Sequence, residues 1–137
     1  MTAAAEMIRT YPADLGRIDR DALIRCIDEC LSCAQACTAC ADACLSESDD
    51  QVPMLRKCIR SNDDCADICS ITARLVSRHT GYDANITRSI VQACATVCRS
   101  CGDECERHAD MHEHCRVCAD ACRRCERACQ ELINTLG

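Results

Sequence analysis

Residues 26–44 read CIDECLSCAQACTACADAC, with cysteine at positions 26, 30, 33, 37, 40 and 44. The intervals of 4, 3, 4, 3 and 4 are the seam period of a packed α-helix, where leucine or isoleucine normally stands. The rhythm returns at Cys94, Cys98, Cys101 and Cys105, and again at Cys115, Cys118, Cys122, Cys125 and Cys129. In one further stretch Cys58, Cys65 and Cys69 keep the phase, with Asn62 in the vacant slot. Together these are all eighteen cysteines of the chain, so thiols stand where the hydrophobic core should be.

The 137 residues suit one domain. There is no Trp or Phe, and Tyr11 and Tyr82 are the two aromatics, so the side chains that usually fill a core are missing. Two Pro and four Gly disfavour strands and tight turns and suit long helices. A net charge of −6 with no basic patch argues against nucleic acid as a partner. No apolar run reaches the length of a signal-peptide core or a membrane span. A cytoplasmic location is therefore expected, where thiols stay reduced. Geometry also opposes a disulfide framework: Cβ atoms at i,i+4 lie about 5–6 Å apart, whereas a relaxed bridge needs about 3.5–4.5 Å.

Punctuation divides the chain into four helices over about 19–47, 53–79, 83–109 and 111–136. Pro53 suits a first helical turn, and Gly81 suits the left-handed position that ends a helix. Asp83 or Asn85 can cap the third helix, and Asp110 with Glu113 matches an acidic capping box for the fourth. The cysteine phase slips between Cys115 and Cys118, as a turn between two helices requires. Short loops favour an all-α, up-down-up-down four-helix bundle over 19–137. Residues 1–18 form a separate N-terminal segment, with a short helix over 2–10 broken by Pro12.

That topology gives the bundle two unlike ends. Leu15, Ile18, Leu23, Ile71, Leu75, Val76, Ile86, Ile90, Val91, Leu132, Ile133 and Leu136 gather at one as an aliphatic plug. Cys44, Met54, Cys58, Cys105, His108, Met111, His112, His114 and Cys115 gather at the other, which reads as a mouth. His108 is in phase with Cys105 and His112 with Cys115, so both are candidate ligands facing the lumen. Met54 stands one turn before Cys58 and is a candidate thioether donor; Met111 lies in the last interhelical turn. His114 is out of phase and is left outside the candidate set. His79, at the far end of the second helix, reads as a cation complementing the helix dipole.

A lumen of sulfurs selects soft metal ions, with Cu(I) and Zn(II) foremost. Structural zinc needs four ligands per ion, whereas Cu(I) accepts two or three thiolates, so capacity favours multiple Cu(I) ions per chain. Zinc or general heavy-metal buffering is the alternative. A thiol redox sensor fits less well, because it needs a distinguished, exposed low-pKa pair and no pair here stands apart.

The repeated C-x-x-x-C pairs (C26-IDE-C30, C33-AQA-C37, C40-ADA-C44, C65-ADI-C69, C94-ATV-C98, C101-GDE-C105, C118-ADA-C122, C125-ERA-C129) carry a resemblance to a known family. Over residues 19–136 the chain resembles the cytosolic copper-storage proteins of bacteria. The resemblance implies a homotetramer of four-helix bundles, each holding Cu(I) mainly through thiolates, with histidines near the open end assisting uptake. It implies storage and no catalysis, with a copper chaperone or a small-molecule chelator as donor or acceptor. Asn62 interrupts the series, and whether its side-chain oxygen touches copper stays open.

Overall fold

The computed structural model describes residues 1–136; Gly137, the last residue of the expected bundle, lies outside the described residues. The elements are α1 (Ala3–Arg9), α2 (Arg20–Leu45), a 3-10 turn (Val52–Leu55), α3 (Arg56–Val76), α4 (Ala84–Glu106) and α5 (Glu113–Thr135). Helix α2 packs on α3 and α5, and α4 packs on the same two, which closes a square of antiparallel neighbours. No strand occurs among the described residues.

Local chemistry sets most of the boundaries. Asp19 caps α2 by accepting from the Ala22 N–H at 2.9 Å, and Asp83 caps α4 by accepting from Asn85 at 2.9 Å. Gly81 takes φ 67°, as the link between α3 and α4 requires. Helix α3 ends at Val76, three residues before the sequence expectation, and Arg78 N–H closes an i−3 bond to the Leu75 carbonyl. Pro53 starts a 3-10 turn instead of the α-helix itself.

The last helix corrects the sequence reading. It starts at Glu113 with His112 as its N-cap residue, and no side chain caps it. The Asp110–Glu113 capping box does not form, because residues 107–109 tighten into successive i−3 bonds and Met111 and His112 both donate to the His108 carbonyl. The His112 ring cannot serve the cap, since its Nδ1 lies 2.9 Å from the Glu47 carboxylate.

Each helix turns one stripe inward, and that stripe runs from thiols into aliphatics without losing phase. Leu23 precedes Cys26 on α2, Cys69 leads to Thr72 and Val76 on α3, Thr87 and Val91 precede Cys94 on α4, and Cys129 leads to Leu132 on α5. All eighteen cysteines are buried and free. Alanines 22, 41, 66, 73, 95, 119, 121 and 128 are buried beside them and leave room for close helix contact. The plug is real but smaller than expected. Leu15, Leu23, Val76, Val91 and Leu132 are buried, whereas Ile71 and Ile86 are 48 % and 55 % exposed, because they stand on the outer faces of α3 and α4. Ile8 of α1 is also buried and extends the core at this end.

His79 is not the dipole-compensating cation that its position suggests. Its ring meets Tyr11 edge-on at 5.7 Å and stacks on Tyr82 at 6.1 Å. Burial lowers its pKa below the ordinary 6.5, and its Nε2 is buried without a partner. A histidine kept neutral in the fold contributes stability above the unfolded pKa, and that stability is lost as the pH falls through the depressed folded value. NMR titration of the metal-free protein should accordingly find His79 titrating below 6.5.

Stability should follow this burial. The reduced, metal-free protein should give a helical circular dichroism spectrum, because the thiols act as core hydrophobes. Leu23→Ala or Leu132→Ala should each cost about 2–5 kcal/mol in denaturant unfolding. Ile86→Ala, on the exposed face, should stay within about 0.5 kcal/mol of the parent.

Candidate metal centre

The four inward stripes bring sulfurs of different helices into contact. Cys30 Sγ lies 3.8 Å from Cys94 and 3.7 Å from Cys125. Cys33 lies 3.8 Å from both Cys65 and Cys122, and Cys69 lies 3.6 Å from Cys98. Nearer the mouth, Cys37 is 3.6 Å from Cys118, and Cys58 is 3.7 Å from Cys105. At the plug end Cys26 and Cys129 meet at 4.0 Å. The thiols form a column along the bundle axis with a sulfur neighbour at every level.

Within it, Cys30, Cys94, Cys125 and Cys129 lie within 4.8 Å of one another, as do Cys33, Cys65, Cys69 and Cys98, and Cys37, Cys101, Cys118 and Cys122. These three groups share no residue. Cys40, Cys44 and Cys115 form a fourth with His114. Sulfurs this close titrate together. Hydrogen bonding from Cys129 holds Cys26 down to about 5, and that from Cys105 holds Cys58 down to about 4. Cys105, the partner of Cys58, moves the other way, pushed up by hydrogen bonding to Cys101.

Asn62 occupies its vacant slot inside this column and is fully buried. Its Oδ1 accepts from the thiols of Cys101 at 3.1 Å, Cys118 at 3.1 Å and Cys105 at 3.4 Å. Its Nδ2 lies 3.6 Å from Cys58 Sγ. The interruption in α3 is therefore a polar contact with four cysteines and not a gap in the lining.

The mouth differs from the sequence reading in two places. His114, left out because it breaks phase, turns Nδ1 to Cys40 at 3.4 Å and to Cys115 at 3.6 Å. The same ring places Nε2 2.9 Å from Glu47. The favourable contacts with Cys40 and Glu47 outweigh the opposing desolvation and raise its pKa. Met54 is 57 % exposed, and the buried place beside it goes to Leu55, since the 3-10 turn after Pro53 rotates the phase of the stripe. Met111 is exposed as well. His112 is buried, with Nδ1 on Glu47. His108 is half-buried, and its Nε2 lies 2.9 Å from Glu104. Glu104 is itself buried, with Lys57 and Arg107 at 3.8 and 3.6 Å.

Residues 19–134 match the protein family described as Copper storage protein. The chain belongs to this copper storage protein family. It is 68 % identical to Ccsp from Streptomyces lividans, solved loaded with 10 copper equivalents, over 96 % of this chain and 98 % of that one, with a TM-score of 0.94. A second structure from Streptomyces lividans, of a cytosolic copper storage protein with five coppers, shares 70 % identity at a TM-score of 0.83, covering 87 % and 98 % of the two chains. Apo copper storage protein 3 from Bacillus subtilis is 34 % identical over 79 % of this chain and 95 % of its own, at a TM-score of 0.66. The cysteine-rich protein YhjQ of Bacillus subtilis is 36 % identical over 107 residues, which is 78 % of this chain and 92 % of that one. The all-α fold and cysteine-lined core expected from the sequence thus agree with the structural relatives.

His114→Ala should weaken the most weakly buried of the four groups, measured as Cu(I) affinity at low occupancy against a competing chelator. Met54→Ala should leave that affinity unchanged, because its side chain points to solvent.

Proposed function

We propose that this protein stores multiple Cu(I) ions in the cytosol, bound by the thiolates of its core and taken up and released at the histidine-containing mouth. The observation that carries this is the unbroken sulfur column, in which cysteines of all four long helices touch across the axis. Each Cu(I) that binds displaces a thiol proton, and one thiolate per monovalent ion leaves the charge nearly balanced. Such balance permits a dense cluster in a core from which water is excluded. Sulfur neighbours at 3.6–4.0 Å give an ion a next site at every level, so it passes inward by thiolate exchange. Binding in this scheme is non-catalytic. The same proposal includes the homotetramer implied by the family resemblance, and a copper chaperone or small-molecule chelator as donor and acceptor.

A second reading has one observation in its favour. The three disjoint four-sulfur groups are also suitable for a tetrahedral divalent ion such as Zn(II). Charge separates the two, because each such ion in four thiolates leaves two uncompensated negative charges in the core. Anaerobic titration of the reduced protein with Cu(I) and with Zn(II) decides between them. Storage of Cu(I) requires many tightly held ions per chain; saturation at about four or five zinc ions with weak copper binding would reverse the assignment.

Capacity should follow the column and not any single group. Cys33→Ser with Cys37→Ser should remove only a small part of the copper bound at saturation, and so should the pairs Cys98/Cys101 and Cys118/Cys122. Loss of nearly all binding from any one pair, in a protein that still folds, would contradict distributed storage.

A further inference from the structure

One carboxylate at the mouth holds two histidines. Glu47 follows the end of α2, and its Oε2 lies 2.9 Å from His114 Nε2 and 2.9 Å from His112 Nδ1. A carboxylate oxygen only accepts, so the hydrogen bond from His114 requires its Nε2 to carry the proton. That fixes the tautomer of the His114 ring. His114 keeps its Nδ1 lone pair, which lies against Cys40 and Cys115 at 3.4 and 3.6 Å. The rings sit 5.7 Å apart, tilted by 33°.

We infer that Glu47 is a positioning residue for copper uptake: its carboxylate fixes the tautomer of His114, so that His114 presents a free Nδ1 to the Cys40, Cys44 and Cys115 sulfurs. This rests on the Cu(I) storage reading. The arrangement is that of a metal-binding imidazole whose far nitrogen donates to a carboxylate, which sets the ring orientation and strengthens the near nitrogen as a donor. Without the acceptor, His114 is free to adopt the Nδ1–H form, which has no lone pair to offer on the side facing the sulfurs. Glu47 also ties the C-terminal end of α2 to the start of α5, so both walls of the mouth are held by the same oxygen.

The test uses reduced, metal-free protein labelled with ¹⁵N, at alkaline pH where both imidazoles are neutral. Long-range ¹H–¹⁵N correlation spectra should show His114 as the Nε2–H tautomer. In Glu47→Ala it should become a mixture, and Cu(I) affinity at low occupancy should fall about 10–100-fold with capacity at saturation kept. Glu47→Gln, whose side-chain oxygen can accept the same bond, should restore the tautomer and most of the affinity. A wild-type spectrum with His114 as Nδ1–H would overturn the inference, as would Glu47→Ala with tautomer and affinity unchanged. If the wild type shows the expected His114 tautomer but binds no Cu(I), the storage reading fails while the hydrogen-bond assignment stands.

Discussion

Contact between sulfur atoms across the bundle axis is the constraint on which the structure depends. A cysteine side chain reaches only one heavy atom beyond Cβ, so four helices meet at their sulfurs only if their backbones come close. The buried alanines beside the thiols make that approach feasible. Larger residues in the same places would hold the helices apart and break the column into isolated pairs. The core is therefore defined less by apolar volume than by a small, uniform side-chain length kept in phase on every wall.

Such a core needs anchoring elsewhere, because thiols bury little apolar surface for each residue they order. The aliphatic plug and α1 supply part of this at one end, where Ile8, Leu15, Leu23, Val91 and Leu132 close the lumen. Outside the lumen, Arg123 lies across Gly102, its guanidinium 3.1 Å from where a Cβ would stand. It reaches Asp103 at 2.7 Å and Glu106 at 2.9 Å, which ties α4 to α5. Exposed ion pairs contribute little singly, but a guanidinium shared between two carboxylates is a more favourable geometry. Gly102 matters here because a side chain at that position would crowd the guanidinium.

Much of this was legible in the cysteine spacing. A period of 3.5 residues carried on four segments determines helix number, the buried stripe and the lining, whereas the slip between Cys115 and Cys118, expected at the last turn, falls inside α5. What the spacing could not show are the places where tertiary contacts overrule a local signal. The Asp110 capping box loses to the turn at 107–111, and His112 cannot cap because Glu47 holds its ring. His114 breaks phase yet reaches the sulfurs, because side chains in the first turn of a helix lean back over its N-terminal end. The available signal was Glu47, an acidic residue at the end of the facing helix. Met54 kept phase on paper, but Pro53 converts the first turn to 3-10 geometry and Leu55 takes the inward position. Ile71 and Ile86 show that an aliphatic residue near the right end is not enough without the right face.

The aliphatic closure of one end has a consequence for the order of events. With uptake and release at the histidine end alone, as proposed, the column would return its contents in the reverse of the order in which it received them. Ions at Cys26 and Cys129 would stay behind every later arrival, whereas those beside Cys40 and Cys115 would exchange with the surroundings first. One uniform set of ligands would thus yield a fast-turnover fraction and a long-residence fraction. The difference between them is position along the column, not chemistry.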